Sequence, residues 1–342
     1  MENFLIIRLS SLGDIIHTLP AFAALRKNFP QAKISWMVEE RGQEILDLVP
    51  GIDRIITLHP SSWKLHRARF WSEILHLKKK TNGRSQVAID FQGLVKSGFL
   101  GFLTRARIRI GFHRKNLKEP LASLFYTENL PEISENMHVI SKNLRLLSRV
   151  GIIEEEYEFP LVLPDELFRS VKIKLESSGY SFSQRLVLLN VGAGWATKRW
   201  FEESWVELIE TLKRKDLFFL LFWGTEEEKA LASEIGRKAR TPLAPFLTLK
   251  EVMALVSMAS LVISGDTFAL QAACAFWRPV VGIFGPTNPQ RNGPFSASDK
   301  VAFHEMECSF CYKRSCSKLD CLKAVTPEEV ARMSFQVLES DA

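Results

Sequence analysis

One recurring unit constrains this chain most: a short apolar run, a polar or glycine-containing turn, and then apolar residues at helical spacing. In the first half the runs are Phe4 to Ile7, Lys33 to Val38, Arg54 to Leu58 and Val87 to Asp90. In the second half they are Leu186 to Leu189, Leu217 to Trp223, Leu261 to Ser264 and Val280 to Phe284. Buried strands alternating with helices make mostly parallel sheets covered on both faces, so an α/β fold is expected. At 342 residues, 46% of them hydrophobic, the chain can bury two cores of ordinary size. Pro160, Pro164 and the acidic run Glu154 to Glu156 put the domain change between Leu163 and Ser183. A last helix is expected from Thr326, where T-P-E-E is a start signal.

In such sheets ligands gather at the carboxyl ends of strands, so the turns after the runs are the places to look. The first is S-S-L-G-D-I-I-H-T-L-P, Ser10 to Pro20, where Asp14 stands in the first turn of a helix expected to reach Asn28. A carboxylate there serves either as a helix cap or as a reactive group, and His17 lies one turn on. Gly192 and Gly194 let backbone amides approach a ligand, and Thr197, Lys198 and Arg199 can donate to phosphate oxygens. Glu226, after the next run, either accepts from a sugar or ribose hydroxyl or only begins a helix. Asp266 and Thr267 pose the same choice between sugar and phosphate contacts and an N-cap.

The net charge of +6 favours an anionic partner. No zinc finger, RNA-binding aromatic pair or basic tail points to nucleic acid. Two basic segments stand out: Pro60 to Lys80, with Arg67 and Arg69 among aromatics, and Arg105 to Lys115, with Arg114 and Lys115. Each suits an anionic acceptor or a lipid headgroup layer, or is simply a solvated face. No apolar run of spanning length and no secretory signal is evident, so a cytoplasmic protein is expected. Cys308, Cys311, Cys316 and Cys321 have a spacing that could close around a structural zinc, or could be free thiols. A dinucleotide-dependent oxidoreductase is disfavoured because G-x-G-x-x-G is missing after the first run.

Several segments together are similar to the bacterial lipopolysaccharide heptosyltransferases, glycosyltransferase family 9, nearest to the heptosyltransferase I branch. They are Ser10 to Pro20, V-E-E at Val38 to Glu40, D-F-Q-G-L-V-K-S at Asp90 to Ser97 and L-A-S-L-F-Y at Leu121 to Tyr126. G-A-G-W-A-T-K-R-W at Gly192 to Trp200, G-D-T at Gly265 to Thr267 and G-I-F-G-P-T at Gly282 to Thr287 complete the set. The family commonly continues its G-D-T with glycine and, shortly afterwards, histidine, where this chain has Phe268-Ala-Leu-Gln271.

The resemblance implies a GT-B fold of two Rossmann-like domains facing each other across a cleft. An acceptor-binding domain would span 1–165 and a sugar-nucleotide domain 166–325, with the helix in 326–342 packing back towards the first domain. It implies an inverting transfer of L-glycero-D-manno-heptose from ADP-heptose to a Kdo residue of Kdo-lipid A, at the cytoplasmic face of the inner membrane. Asp14 would be the base and Lys198 would stabilise the departing ADP. Thr197, Glu226, Asp266, Thr267 and Gln271 would hold the donor, and His17, Arg67, Arg69, Arg114 and Lys115 the acceptor. No catalytic cofactor is implied, since ADP leaves as an anion. A different donor or acceptor, heptosyltransferase II-like activity, or a noncatalytic carbohydrate-binding relative are the alternatives.

Overall fold

The computed structural model describes residues 3–59 and 86–340. The chain divides into two units, Met1–Val162 and Leu163–Ala342, each built on one parallel sheet. The first sheet contains β1 (Asn3–Ile7), β2 (Lys33–Glu39), β3 (Arg54–Leu58), β4 (Val87–Asp90), β5 (Ile108–Gly111) and β6 (Glu128–Asn129). Their spatial order is β3-β2-β1-β4-β5-β6, so the order reverses between β1 and β4. The second sheet contains β7 (Arg185–Asn190), β8 (Leu217–Phe222), β9 (Leu261–Gly265), β10 (Val280–Ile283) and β11 (Lys300–Ala302). Its order is β11-β10-β9-β7-β8, which reverses between β7 and β9.

Both sheets are buried on two faces, and their central strands show it. Phe4, Leu5, Ile6 and Ile7 are essentially inaccessible, as are Leu186 to Leu189 and Leu261 to Ile263. Alternation of polar and apolar residues would have left one face wet; unbroken apolar runs require helices on both sides. Trp205, Leu208, Ile209 and Leu212 of the helix Glu202–Leu212 fill the second core.

One expectation changes. The helix expected from Asp14 to Asn28 is two helices, Leu12–Ile16 and Leu19–Asn28. Pro20 cannot donate a backbone hydrogen bond, so the chain restarts there, and the Thr18 hydroxyl donates to the Asp14 carbonyl at 2.8 Å. The closing helix Pro327–Ser340 packs on the helix Glu202–Leu212 and along β10 and β11, where Val330, Ala331, Val337 and Leu338 join the second core.

Candidate functional site

A reversal of strand order leaves a crevice, because the two connections on either side leave the sheet in opposite directions. The chain builds polar turns at both reversals. In the first unit, the turns after β1 and β4 are laced together. Gln92 Oε1 accepts from the backbone amides of Leu9 at 3.0 Å and Ser10 at 3.1 Å. Arg8, buried at the end of β1, donates through Nη1 to the Phe91 carbonyl and places Nη2 2.6 Å from Asp14 Oδ1. Asp14 Oδ2 accepts from the Ser11 amide at 3.1 Å and the Ser11 hydroxyl at 3.0 Å. Burial opposes charge on Asp14, but Arg8, His17 and the two Ser11 hydrogen bonds together hold its carboxyl below the usual carboxylate value. Asp14 is thus a capping residue and, at the same time, a fixed, ionised carboxylate at the mouth of the crevice.

Asp90, the last residue of β4, has the opposite character. It is buried, and burial raises its carboxyl above the ordinary value despite hydrogen bonds from Tyr126, Ser97, Gly93 and Gln92. Tyr126 Oη donates to Oδ2 at 2.8 Å, and so does Ser97 Oγ at 2.8 Å. Gly93, at φ +70°, allows the tight turn in which the Gln92 and Gly93 amides both reach Oδ1. Asp90 therefore sets the loop that carries Gln92, and Gln92 sets the loop that carries Asp14. Glu39 and Lys96, from two of the sequence motifs, form an ion pair at 2.7 Å.

In the second unit, Lys198 Nζ lies 2.6 Å from Asp266 Oδ2 and 4.5 Å from the Trp195 ring centroid. Trp195 also takes Arg314 over its ring at 5.0 Å. Thr267, the N-cap of the helix Phe268–Ala275, has its hydroxyl 2.8 Å from Ser264 Oγ and accepts from Asn190 Nδ2 at 2.9 Å. A Cβ on Gly265 would meet the Lys198 carbonyl oxygen at 3.0 Å, so the two turns approach closely only because the side chain is absent. Lys198, Asp266 and Thr267 thus converge at the β7/β9 reversal, with the first amides of a helix beside them.

The other predicted residues are placed differently. Thr197 is buried and its hydroxyl donates to the Lys313 carbonyl at 2.7 Å, so it ties two loops together. Gln271 is buried, and its amide donates to the Asn292 carbonyl at 2.7 Å. Glu226 stands exposed on the first turn of the helix Glu226–Ala239, 3.5 Å from Lys229. His17 is buried edge-on to His138, with ring centroids 5.9 Å apart. Arg114 and Lys115 are exposed on a single turn after β5, and Lys115 pairs with Glu132 at 2.8 Å. Arg67 and Arg69 lie outside the described residues.

Among the described residues, no three His, Cys, Asp or Glu side chains form a group that could hold a metal, although burial and the nearby charges of Cys308 and Cys311 together raise the Cys321 thiol. Cys321 turns inward on the helix Asp320–Lys323, beside Gly285, whereas Cys308 and Cys316 are exposed. Cys316 Sγ accepts from the Leu319 amide at 3.5 Å.

Arg8, Gln92, Tyr126 and Asn190 were not foreseen as site residues. Arg8 left one signal, a lone cation ending an otherwise apolar strand.

A family model described as glycosyltransferase family 9 (heptosyltransferase) matches residues 74–322. Lipopolysaccharide heptosyltransferase 1 of Pseudomonas aeruginosa is 28% identical over 92% of this chain and 87% of its own length. Its Escherichia coli counterpart is 27% identical over 87% of this chain and 92% of its own. Among solved structures, an E. coli heptosyltransferase with ADP superposes with a TM-score of 0.78 at 24% identity, covering 99% of this chain and all of that one. E. coli ADP-heptose heptosyltransferase II does so at 0.79 and 18% identity over the whole of both chains. The two-unit architecture is the GT-B fold of those structures.

Proposed function

The chain belongs to glycosyltransferase family 9, the heptosyltransferases, and on that premise we propose that this enzyme transfers a heptosyl group from ADP-heptose to a Kdo residue of Kdo-lipid A, with inversion. One observation carries the reading: an ionised carboxylate fixed at one switch point and a lysine beside helix-start amides at the other. These are the two charges the chemistry asks for. The acceptor hydroxyl oxygen bonds to the anomeric carbon, its proton passes to Asp14, and the bond from that carbon to the ADP oxygen breaks. Lys198, Thr267 and the first amides of the helix Phe268–Ala275 stabilise the charge gathering on the diphosphate. Asp266 orients Lys198 and accepts from donor hydroxyls. The relatives' names, lipopolysaccharide heptosyltransferase 1, support a lipid-linked acceptor, and the place of action proposed with it is the cytoplasmic face of the inner membrane.

Because ADP departs as an anion and a lysine stands at its site, transfer asks for no divalent ion. Phe268 and Gln271, where the family commonly has glycine and histidine, bear on donor choice. The Gln271 amide donates to the Asn292 carbonyl, and Phe268 stands at the start of the same helix.

Incubation with ADP-heptose and Kdo-lipid A, in EDTA, is the test. Heptosylated lipid, one ADP per product and an inverted anomeric configuration are expected. Donor binding without product would favour a noncatalytic carbohydrate-binding protein, and turnover with another sugar nucleotide would redirect the assignment.

A further inference from the structure

Exposed large apolar side chains are not scattered evenly on the first unit. Of the ten among the described residues, Phe99, Phe102, Leu121 and Leu124 lie on two elements packed on each other, the helix Val95–Leu103 and the 3-10 helix Pro120–Phe125. Phe99 and Phe102 are one helical turn apart, so they share a face. Leu121 and Leu124 are three residues apart in a 3-10 helix, where such positions eclipse. The Phe125 ring joins the rows, 5.8 Å from Phe99 and 6.1 Å from Phe102. Leu124 is 76% exposed, Leu121 67% and Phe102 50%, which is unusual for neighbouring side chains of this size.

The patch is rigid. Gly98 brings the two elements together, since a Cβ there would meet the Ala122 carbonyl oxygen at 3.1 Å and Phe125 at 3.2 Å. Arg109 clamps its base, donating to the Phe125 carbonyl at 2.7 Å and the Ala106 carbonyl at 2.8 Å, with its guanidinium over the Phe102 ring. It is also cationic: from 95 to 127 the sequence has seven Lys or Arg residues and one acid, Glu119, and of the seven Lys96 and Lys115 pair with Glu39 and Glu132. The Glu119 carboxylate accepts from the Val95 amide at 2.7 Å, which ties it to the helix start. Arg105, Arg107 and Lys118 are exposed.

We propose that this face docks the enzyme on a bilayer containing anionic phospholipid, with Phe99, Phe102, Leu121 and Leu124 entering the headgroup layer and Arg105, Arg107 and Lys118 meeting its phosphates. Charge decides the occupant. Apolar rings bordered by cations of one sign suit an anionic interface, where each cation gains from the surface potential and each apolar side chain from leaving water. A second copy of this chain would bring the same positive charge against itself. The purpose of the face, though not its measurement, rests on the lipid-linked acceptor proposed above.

Cosedimentation of the full chain with phosphatidylcholine vesicles, with and without phosphatidylglycerol, tests this in the absence of donor and acceptor. Binding should require phosphatidylglycerol and fall with salt. Phe102→Ser with Leu124→Ser, and separately Arg105→Glu with Arg107→Glu, should each weaken it by about tenfold or more. Unchanged melting temperature and ADP affinity would show that both variants are folded. No binding by the unaltered chain, or equal binding by both variants, would overturn the proposal. So would self-association that the Phe102 and Leu124 changes abolish without any vesicle binding. Failure to transfer heptose would leave these vesicle results standing.

Discussion

Lys198 and Asp266 form an ion pair at 2.6 Å in which both side chains are mostly buried, directly at the β7/β9 reversal. The lysine is therefore oriented before any ligand arrives, and a diphosphate would find it preorganised. Lys198→Met should lower transfer efficiency by about 10²–10³-fold, the usual effect of removing one charge-stabilising donor. It should also destabilise the fold by about 1–3 kcal/mol, because Asp266 loses its partner. Adding Asp266→Asn should recover stability in thermal melts but not activity. Recovery of transfer in the double variant would remove Lys198 from the mechanism.

Asp14→Asn keeps the shape of the first site but cannot take a proton. The rate of product formation should fall by about 10²–10⁴-fold. ADP affinity, measured by calorimetry, should not change, since the residues proposed for ADP lie in the second unit. Near-normal turnover would leave Asp14 as the cap of the helix Leu12–Ile16 and nothing more.

Arg8 gives Asp14 a testable pH signature. With the folded value held below the ordinary 3.8, Asp14 remains ionised above that range, and activity should be lost only as pH falls through the lowered value. Arg8→Met removes the stabilising cation while burial still opposes the charge. The acid limb of kcat/KM should therefore move to higher pH, with partial activity retained well above it. A lower rate with an unmoved acid limb would mean that Arg8 only supports the loop.

What could be read from the sequence divides along physical lines. Strands were legible because burial on both faces writes itself as unbroken apolar runs, as in Phe4 to Ile7 and Leu186 to Leu189. Lys198, Asp266 and Thr267 were legible as polar groups at strand ends, and the structure brings them together. The break at Thr18 was missed because apolar spacing continues through Pro20 into the next helix. The Gln92 bridge and the Tyr126 contact were out of reach for another reason: each joins residues more than thirty positions apart through pairing of β1, β4 and β5. Local pattern carries no record of such pairings. The Thr197 hydroxyl's bond to the Lys313 carbonyl, across 116 positions, was out of reach for the same reason.

Glu251 offers a measurement of stability independent of catalysis. It is buried, yet accepts from Lys174 at 2.7 and 2.8 Å, from Ser170 at 2.6 Å and from the Thr248 amide at 2.8 Å. Burial alone would raise its carboxyl, but the hydrogen bonds from Lys174, Ser170 and Thr248, with the Lys174 charge, bring it down to about 2. A depressed value means the unfolded chain binds the proton first. The stabilisation is complete above the ordinary value of 4.5 and drains away as pH falls from there towards about 2. Glu251→Gln should cost about 1.5–3 kcal/mol near neutrality, since charged hydrogen bonds are replaced by neutral ones that Lys174 cannot use well. In urea unfolding, the gap between the two proteins should be constant from neutrality down to that upper bound and narrow below it. A gap independent of pH throughout would show that the helices Asp165–Ser177 and Leu249–Ser257 are held by packing rather than by this carboxylate.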